Sequence, residues 1–165
     1  MQRRVFLAGA LAFGAGGGAW AAGFKKLKPG MAAPPFTRAG LDGRSVDLSR
    51  YKGMVVLIDF WASWCAPCLI AIPHFRAWQA RWGGRGFQVI GISMDDAAAD
   101  AKAAAARLKV NYPVVMGDAK LAERYGGILG LPVEMLAGRD GRIIDIWQGE
   151  IPPETIEKAV RVALG

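Results

Sequence analysis

The sequence predicts an α/β domain built on one mixed β-sheet, and three observations lead there. A chain of 165 residues fits one compact domain. Beyond residue 54, apolar runs of strand length alternate with helix-forming stretches, which is the pattern of strand–helix–strand units. The runs at 133–137 and 142–147 are separated only by Gly138-Arg139-Asp140-Gly141, so they form an antiparallel hairpin and make the sheet mixed.

Residues 1–22 (MQRRVFLAGALAFGAGGGAWAA) carry Arg3 and Arg4, then an uncharged Gly/Ala-rich stretch, then Ala19 and Ala21 flanking Trp20. This is the layout of a signal peptide, with cleavage expected after Ala21 or Ala22. Arg3-Arg4 followed by Val5-Phe6-Leu7 resembles a twin-arginine export signal, although Gln2 precedes the pair and Ala8 stands where a lysine is expected. The alternative is an uncleaved membrane anchor, against which the many glycines argue. Residues 23–35 combine lysines and prolines without apolar periodicity and read as a linker into a domain spanning 36–165.

Within that domain, 36–48 form a small hairpin turning at Leu41-Asp42-Gly43-Arg44. The near-continuous apolar run at 54–61 (MVVLIDFW) is a central strand covered on both faces. Residues 66–82 place Ile70, Phe75, Trp78 and Trp82 at roughly helical spacing and stop at Gly83-Gly84. A strand at 86–94 leads to an Ala-rich helix at 96–109. A short strand at 112–116, a short helix at 119–125 and a glycine-rich turn follow, and the last helix begins near Pro153 and runs to Leu164. There is no internal repeat and no second domain.

Composition excludes several classes. A hydrophobic fraction of 53% supports a packed core and is incompatible with disorder or a collagen-like chain. Two of the 21 basic residues behind the net charge of +7 lie in the export segment. The rest are scattered without an Arg/Lys stripe interleaved with aromatics, so a solvated basic surface is expected rather than a nucleic-acid site. Two cysteines and one histidine, His74, are too few for the four ligands of a structural zinc site.

The informative block is Phe60-Trp61-Ala62-Ser63-Trp64-Cys65-Ala66-Pro67-Cys68, a C-x-x-C between the end of a strand and the start of a helix. A cysteine at a helix N-terminus faces free backbone N–H groups and the positive end of the helix dipole, which favours its thiolate. Cys65 is therefore the expected nucleophile. Cys68, one turn on, is placed to attack a mixed disulfide and release the product. A purely structural bridge closing so short a loop would restrict the unfolded chain little. Asp59 interrupts the apolar strand six residues before Cys65. A buried carboxyl there is expected to have a raised pKa and to relay the proton of Cys68, the alternative being a structural carboxylate satisfied by a neighbour.

From residue 28 onward the chain resembles the TlpA/ResA-like branch of the thioredoxin fold, a group of extracytoplasmic thiol:disulfide oxidoreductases. The residues that carry the likeness are Pro29-Gly30-Met31-Ala32-Ala33-Pro34-Pro35-Phe36, the Leu41-Asp42-Gly43 turn before Val46-Asp47-Leu48, the block ending in Cys68, and Pro73, where such proteins bend the active-site helix. The resemblance implies that Pro132 is a cis-proline facing the disulfide and that Leu131 pairs its backbone with a substrate strand. Trp64, Ala66 and Pro67 are expected at the substrate-facing rim, with Phe60 and Trp61 in the core. Two departures stand out. Where many members carry Glu three residues after the second cysteine this chain has Ala71, which leaves the proton work to Asp59 alone. Where Thr and an aromatic residue often follow the cis-proline it has Val133-Glu134-Met135-Leu136. Glu134 reads either as a charge on an edge strand or as a group approaching the site, and His74 as a solvated helix residue.

The implied function is an exported, periplasmic or otherwise extracytoplasmic oxidoreductase with no cofactor beyond a Cys65–Cys68 redox disulfide and no metal. As a reductase it would draw electrons from a membrane thiol relay and reduce a protein disulfide, apocytochrome c being the substrate class implied. The same fold also serves oxidants, which usually stabilise the thiolate with a charged residue or His between the cysteines; Ala66-Pro67 offers neither. A peroxiredoxin-like peroxidase and a non-catalytic metallochaperone are the remaining alternatives. Against the first stands the lack of a Thr and Pro ahead of Cys65, and against the second the shortage of Cys, His and exposed Met clusters.

Overall fold

The Asp42-Gly43 turn closes a hairpin of β1 (Thr37–Ala39) and β2 (Ser45–Asp47), with Gly43 at a φ of 82° that favours glycine. It opens a computed structural model that describes residues 26–165; the expected export segment at 1–22 lies outside the described residues. The run of Val, Leu, Ile and aromatic residues in β3 (Val55–Trp61) is buried along its whole length. Next come helix α1 (Ala66–Trp82), β4 (Phe87–Ser93), α2 (Ala98–Arg107), β5 (Val114–Met116) and α3 (Ala119–Arg124). The chain ends with β6 (Val133–Ala137), β7 (Ile143–Gln148) and α4 (Pro153–Leu164).

The sheet order is β5-β4-β3-β6-β7. β3 is parallel to β4 and antiparallel to β6, and β6 and β7 form the expected hairpin. Alternation along β3 divides the core. Leu57 and Trp61 face α1 and α4, packing with Ile72, Phe75, Trp78, Ile156 and Val160. Val56, Ile58 and Phe60 face the N-terminal hairpin and α3, packing with Phe36, Val46, Leu121 and Tyr125. This is the mixed sheet flanked by helices of a thioredoxin fold.

Two local expectations are corrected. The buried stripe of α1 is Cys68, Ile72, Phe75, Trp78 and Trp82, whereas Ile70 lies 63% exposed on the opposite side. Two residues are about 200° of helical turn, so Ile70 could not share a face with both Cys68 and Ile72. α1 stops at Trp82 with Gly83 as its C-cap, at the expected glycine pair, and a short 3₁₀ turn at Gly83–Arg85 follows, capped by Gly86 at φ 85°. A Cβ on Gly86 would lie 2.8 Å from the Arg139 guanidinium.

The largest difference concerns the expected linker. Leu27 is buried, and Gly30 and Ala33 donate to the carbonyls of Ile143 and Gly141 at 2.8 and 2.9 Å, while Ile143 donates to Met31 at 2.8 Å. The stretch thus lies along the outer edge of β7. On the other side of the sheet Leu41 donates to the Val114 carbonyl at 2.8 Å and Gly40 bridges to Val115. This pairing uses backbone alone, which is why side-chain periodicity gave no sign of it.

Candidate active site

The strand-to-helix junction sets the two cysteines. Cys65 is the N-cap residue of α1, with extended backbone at φ −88° and ψ 96°, and Pro67 is the second helical residue, where a missing N–H costs nothing. Cys65 and Cys68 form a disulfide with Cα atoms 5.3 Å apart. Both are buried, Cys65 at 4% exposure and Cys68 at 1%, so Cys65 is the slightly more exposed residue of the pair. On reduction Cys65 would lie at the positive end of α1, where a thiolate is favoured.

The surroundings are apolar outside and acidic within. Trp64 is 69% exposed beside Cys65, and Ala66 is also exposed. The Leu131–Pro132 peptide bond is cis, with Pro132 buried and Leu131 half-buried. Pro67, Ala71, Pro132, Glu134 and Glu150 line one cleft of about 330 Å³, which brings the cysteine helix and the proline loop together.

Behind Glu134 in the sheet lies Asp59, 1% exposed in the middle of β3. Its neighbours in register are Gly91 on β4 and Glu134 on β6. A Cβ on Gly91 would come within 3.0 Å of the Trp61 indole nitrogen and 3.5 Å of the Tyr112 ring, so glycine leaves those side chains room beside Asp59. Burial, and then the charge of Glu134, hold the Asp59 carboxyl well above the usual carboxylate range. Glu134 is 2% exposed, and burial pushes it up to about 7. The edge-charge reading of Glu134 is overturned, because β6 is paired on both sides and the side chain is inside.

One participant escaped the sequence reading. Asp95, 6% exposed just past β4, accepts hydrogen bonds from the Ser63 backbone N–H at 3.0 Å to each oxygen, from Ser63 Oγ at 2.7 Å and from Ser93 Oγ at 2.8 Å. It thereby holds the turn that delivers Trp64 and Cys65. Its partner lies 32 residues away, and no local pattern marks the pair. Among the described residues no group of three or more His, Cys, Asp or Glu side chains is arranged to hold a metal ion.

Known proteins match this chain in sequence and fold. The profile of the AhpC/TSA family matches residues 29–148. Thiol-disulfide oxidoreductase ResA of Bacillus thuringiensis subsp. konkukian is 26% identical over 137 residues, covering 83% of this chain and 79% of that protein. The crystal structure of a Chlorobium tepidum protein provisionally assigned as thiol:disulfide interchange protein DsbE is 34% identical. It covers 85% of this chain and 100% of its own, with a TM-score of 0.79. A second Chlorobium tepidum structure, a thiol:disulfide interchange protein of the thioredoxin family, is 28% identical with a TM-score of 0.76, covering 85% and 99%. With the Cys65–Cys68 pair at the head of α1, these matches make the chain a member of the AhpC/TSA family, a thiol–disulfide oxidoreductase of the ResA/DsbE type.

Proposed function

We propose that the protein is an exported reductase of protein disulfides, with apocytochrome c as the substrate class. The observation that carries the direction is the pair Ala66-Pro67 between the cysteines: neither residue offers a charge or an imidazole to stabilise the Cys65 thiolate beyond what the helix terminus supplies. A modestly stabilised thiolate leaves the dithiol reducing. The export layout of residues 1–22 supports an extracytoplasmic site of action, with a membrane thiol relay as electron source.

In the proposed cycle the Cys65 thiolate attacks a substrate disulfide and releases one substrate thiolate. Cys68 then loses its proton, attacks Cys65 and releases the second. Asp59 relays the Cys68 proton: it is buried on the sheet face that α1 covers, and its Oδ2 has no hydrogen-bond partner. Trp64 and Leu131 receive the substrate chain at the rim. The equilibrium reduction potential of residues 23–165 in defined thiol/disulfide buffers tests the direction. A value near or below about −230 mV supports a reductase, and one near about −120 mV makes the protein an oxidant.

A further inference from the structure

Beyond the two sulfurs, the described residues hold three buried polar atoms without a hydrogen-bond partner: Asp59 Oδ2, Glu134 Oε2 and the Tyr112 hydroxyl. Buried polar groups are nearly always satisfied, so three orphans in one region call for a functional account. They belong together. Asp59 and Glu134 are directly opposed on antiparallel strands, so their side chains share a face with Cβ atoms about 5 Å apart. That face is the one covered by α1, since Asp59 lies two residues from both Leu57 and Trp61 and shares their face, and Tyr112 packs in the same cluster as Cys68. Ala71 on α1 leaves open the cleft through which Glu134 meets Pro67 and Pro132. The acid absent from the helix at position 71 is thus matched by one reaching the same cleft from β6.

We propose that Glu134 and Asp59 form one proton-holding unit beneath the disulfide, carrying one proton and one negative charge, and that this unit takes the proton of Cys68 when Cys68 resolves the mixed disulfide. The inference rests on the dithiol chemistry proposed above and replaces the single carboxyl with a pair. In the step, the Cys68 S–H bond breaks and its proton passes to the unit, which becomes neutral. The Cys68 thiolate forms the bond to Cys65 Sγ, and the bond from Cys65 to the substrate sulfur breaks with its electron pair leaving on the substrate thiolate. The proton returns from the unit to solvent or to that thiolate. The dithiol supplies both electrons and no further reductant is needed.

Two ionised carboxylates at this spacing in a dry site repel strongly, so one proton stays between them. The titratable groups around the pair are Cys68 on α1 and Tyr112 ahead of β5, in the cluster on the same sheet face, and Glu150 after β7, which lines the cleft with Glu134; no Lys, Arg or His lines that cleft to neutralise it. Burial pushes Glu134 up to about 7, and Asp59, under burial and the Glu134 charge, lies well above its ordinary range. Near neutrality the unit therefore loses its first proton and keeps its second.

Carboxyl-carbon NMR titration of reduced, ¹³C-labelled residues 23–165 tests the unit. In the unmodified protein both carbons should report two shared steps, the lower near pH 7. In Glu134→Gln, Asp59 should titrate in one step at least one pH unit lower, a tenfold change in proton affinity. The pH midpoint of mixed-disulfide resolution should move with it, and Glu134→Asp should restore two steps. Independent single steps in the unmodified protein, or an Asp59 midpoint unchanged by Glu134→Gln, would overturn the proposal. The titration is indifferent to the direction of electron flow, so an oxidising potential would sink the reductase reading and leave this result standing.

Discussion

Replacing Glu134 by glutamine should change how the stability of the oxidised protein depends on pH. Below about pH 4.5 this carboxyl is protonated in both folded and unfolded chains and costs nothing. Burial raises its folded value from 4.5 to about 7, so between those values the unfolded chain binds fewer protons than the folded one, and stability falls as pH rises. At about 1.4 kcal/mol per pH unit, that gap amounts to about 3 kcal/mol lost by pH 8. Asp59 lowers stability with rising pH in both proteins, and less in the variant, where the Glu134 charge no longer raises it, so the Glu134 figure is a lower bound on the difference between the curves. The assay is urea unfolding of the oxidised wild type and Glu134→Gln at half-unit steps from pH 4.5 to 8. With a denaturant slope of about 2 kcal/mol per molar, the variant's midpoint should gain about 1.5 M on the wild type across that range. Parallel curves would refute the reasoning, since they would mean that ionising Glu134 costs the folded state nothing.

Asp95→Ala should destabilise the oxidised protein by about 3 kcal/mol, because it strips the acceptor from Ser63 and Ser93, and Asp95→Asn should recover much of this; calorimetry of the two variants decides it. Trp64→Ala should leave the melting temperature unchanged, Trp64 being mostly exposed, yet slow the reduction of a protein disulfide more than that of a small aromatic disulfide in parallel kinetic assays. Cys68→Ser should accumulate a covalent mixed disulfide through Cys65, visible by mass spectrometry and absent in Cys65→Ser. Gly91→Val should cost at least about 2 kcal/mol in urea unfolding, since even a Cβ meets the Trp61 indole at 3.0 Å.

The fold was legible where local chemistry dominates. The apolar run of β3, the Gly138-Arg139-Asp140-Gly141 turn and Pro153 at the head of α4 each announce their element through composition alone. The disulfide was legible for the same reason, because C-x-x-C carries its context on both sides. What could not be read depends on register and distant pairing. Glu134 is an anomaly in an apolar strand until β6 is laid against β3, when it falls opposite Asp59. The partnership of Asp95 with Ser63 likewise exists only once β3 and β4 are side by side. Ile70 misled because a near-helical spacing of apolar residues can be drawn through the wrong face when a buried cysteine belongs to the stripe.

The backbone pairing of Gly30, Met31 and Ala33 with the outer edge of β7 gives these residues a protective role. An uncovered strand edge is a template on which a second chain can grow. A form of the protein beginning after Ala33 would keep its disulfide and most of its core, yet offer the N–H and carbonyl groups of 141–143 to any neighbour. Its weakness would appear as concentration-dependent association during refolding, while the melting temperature of the molecules that reached the native state would change little. Where the chain is trimmed thus bears on its solubility: a cut ahead of residue 27 spares the edge guard, and a cut past residue 33 removes it.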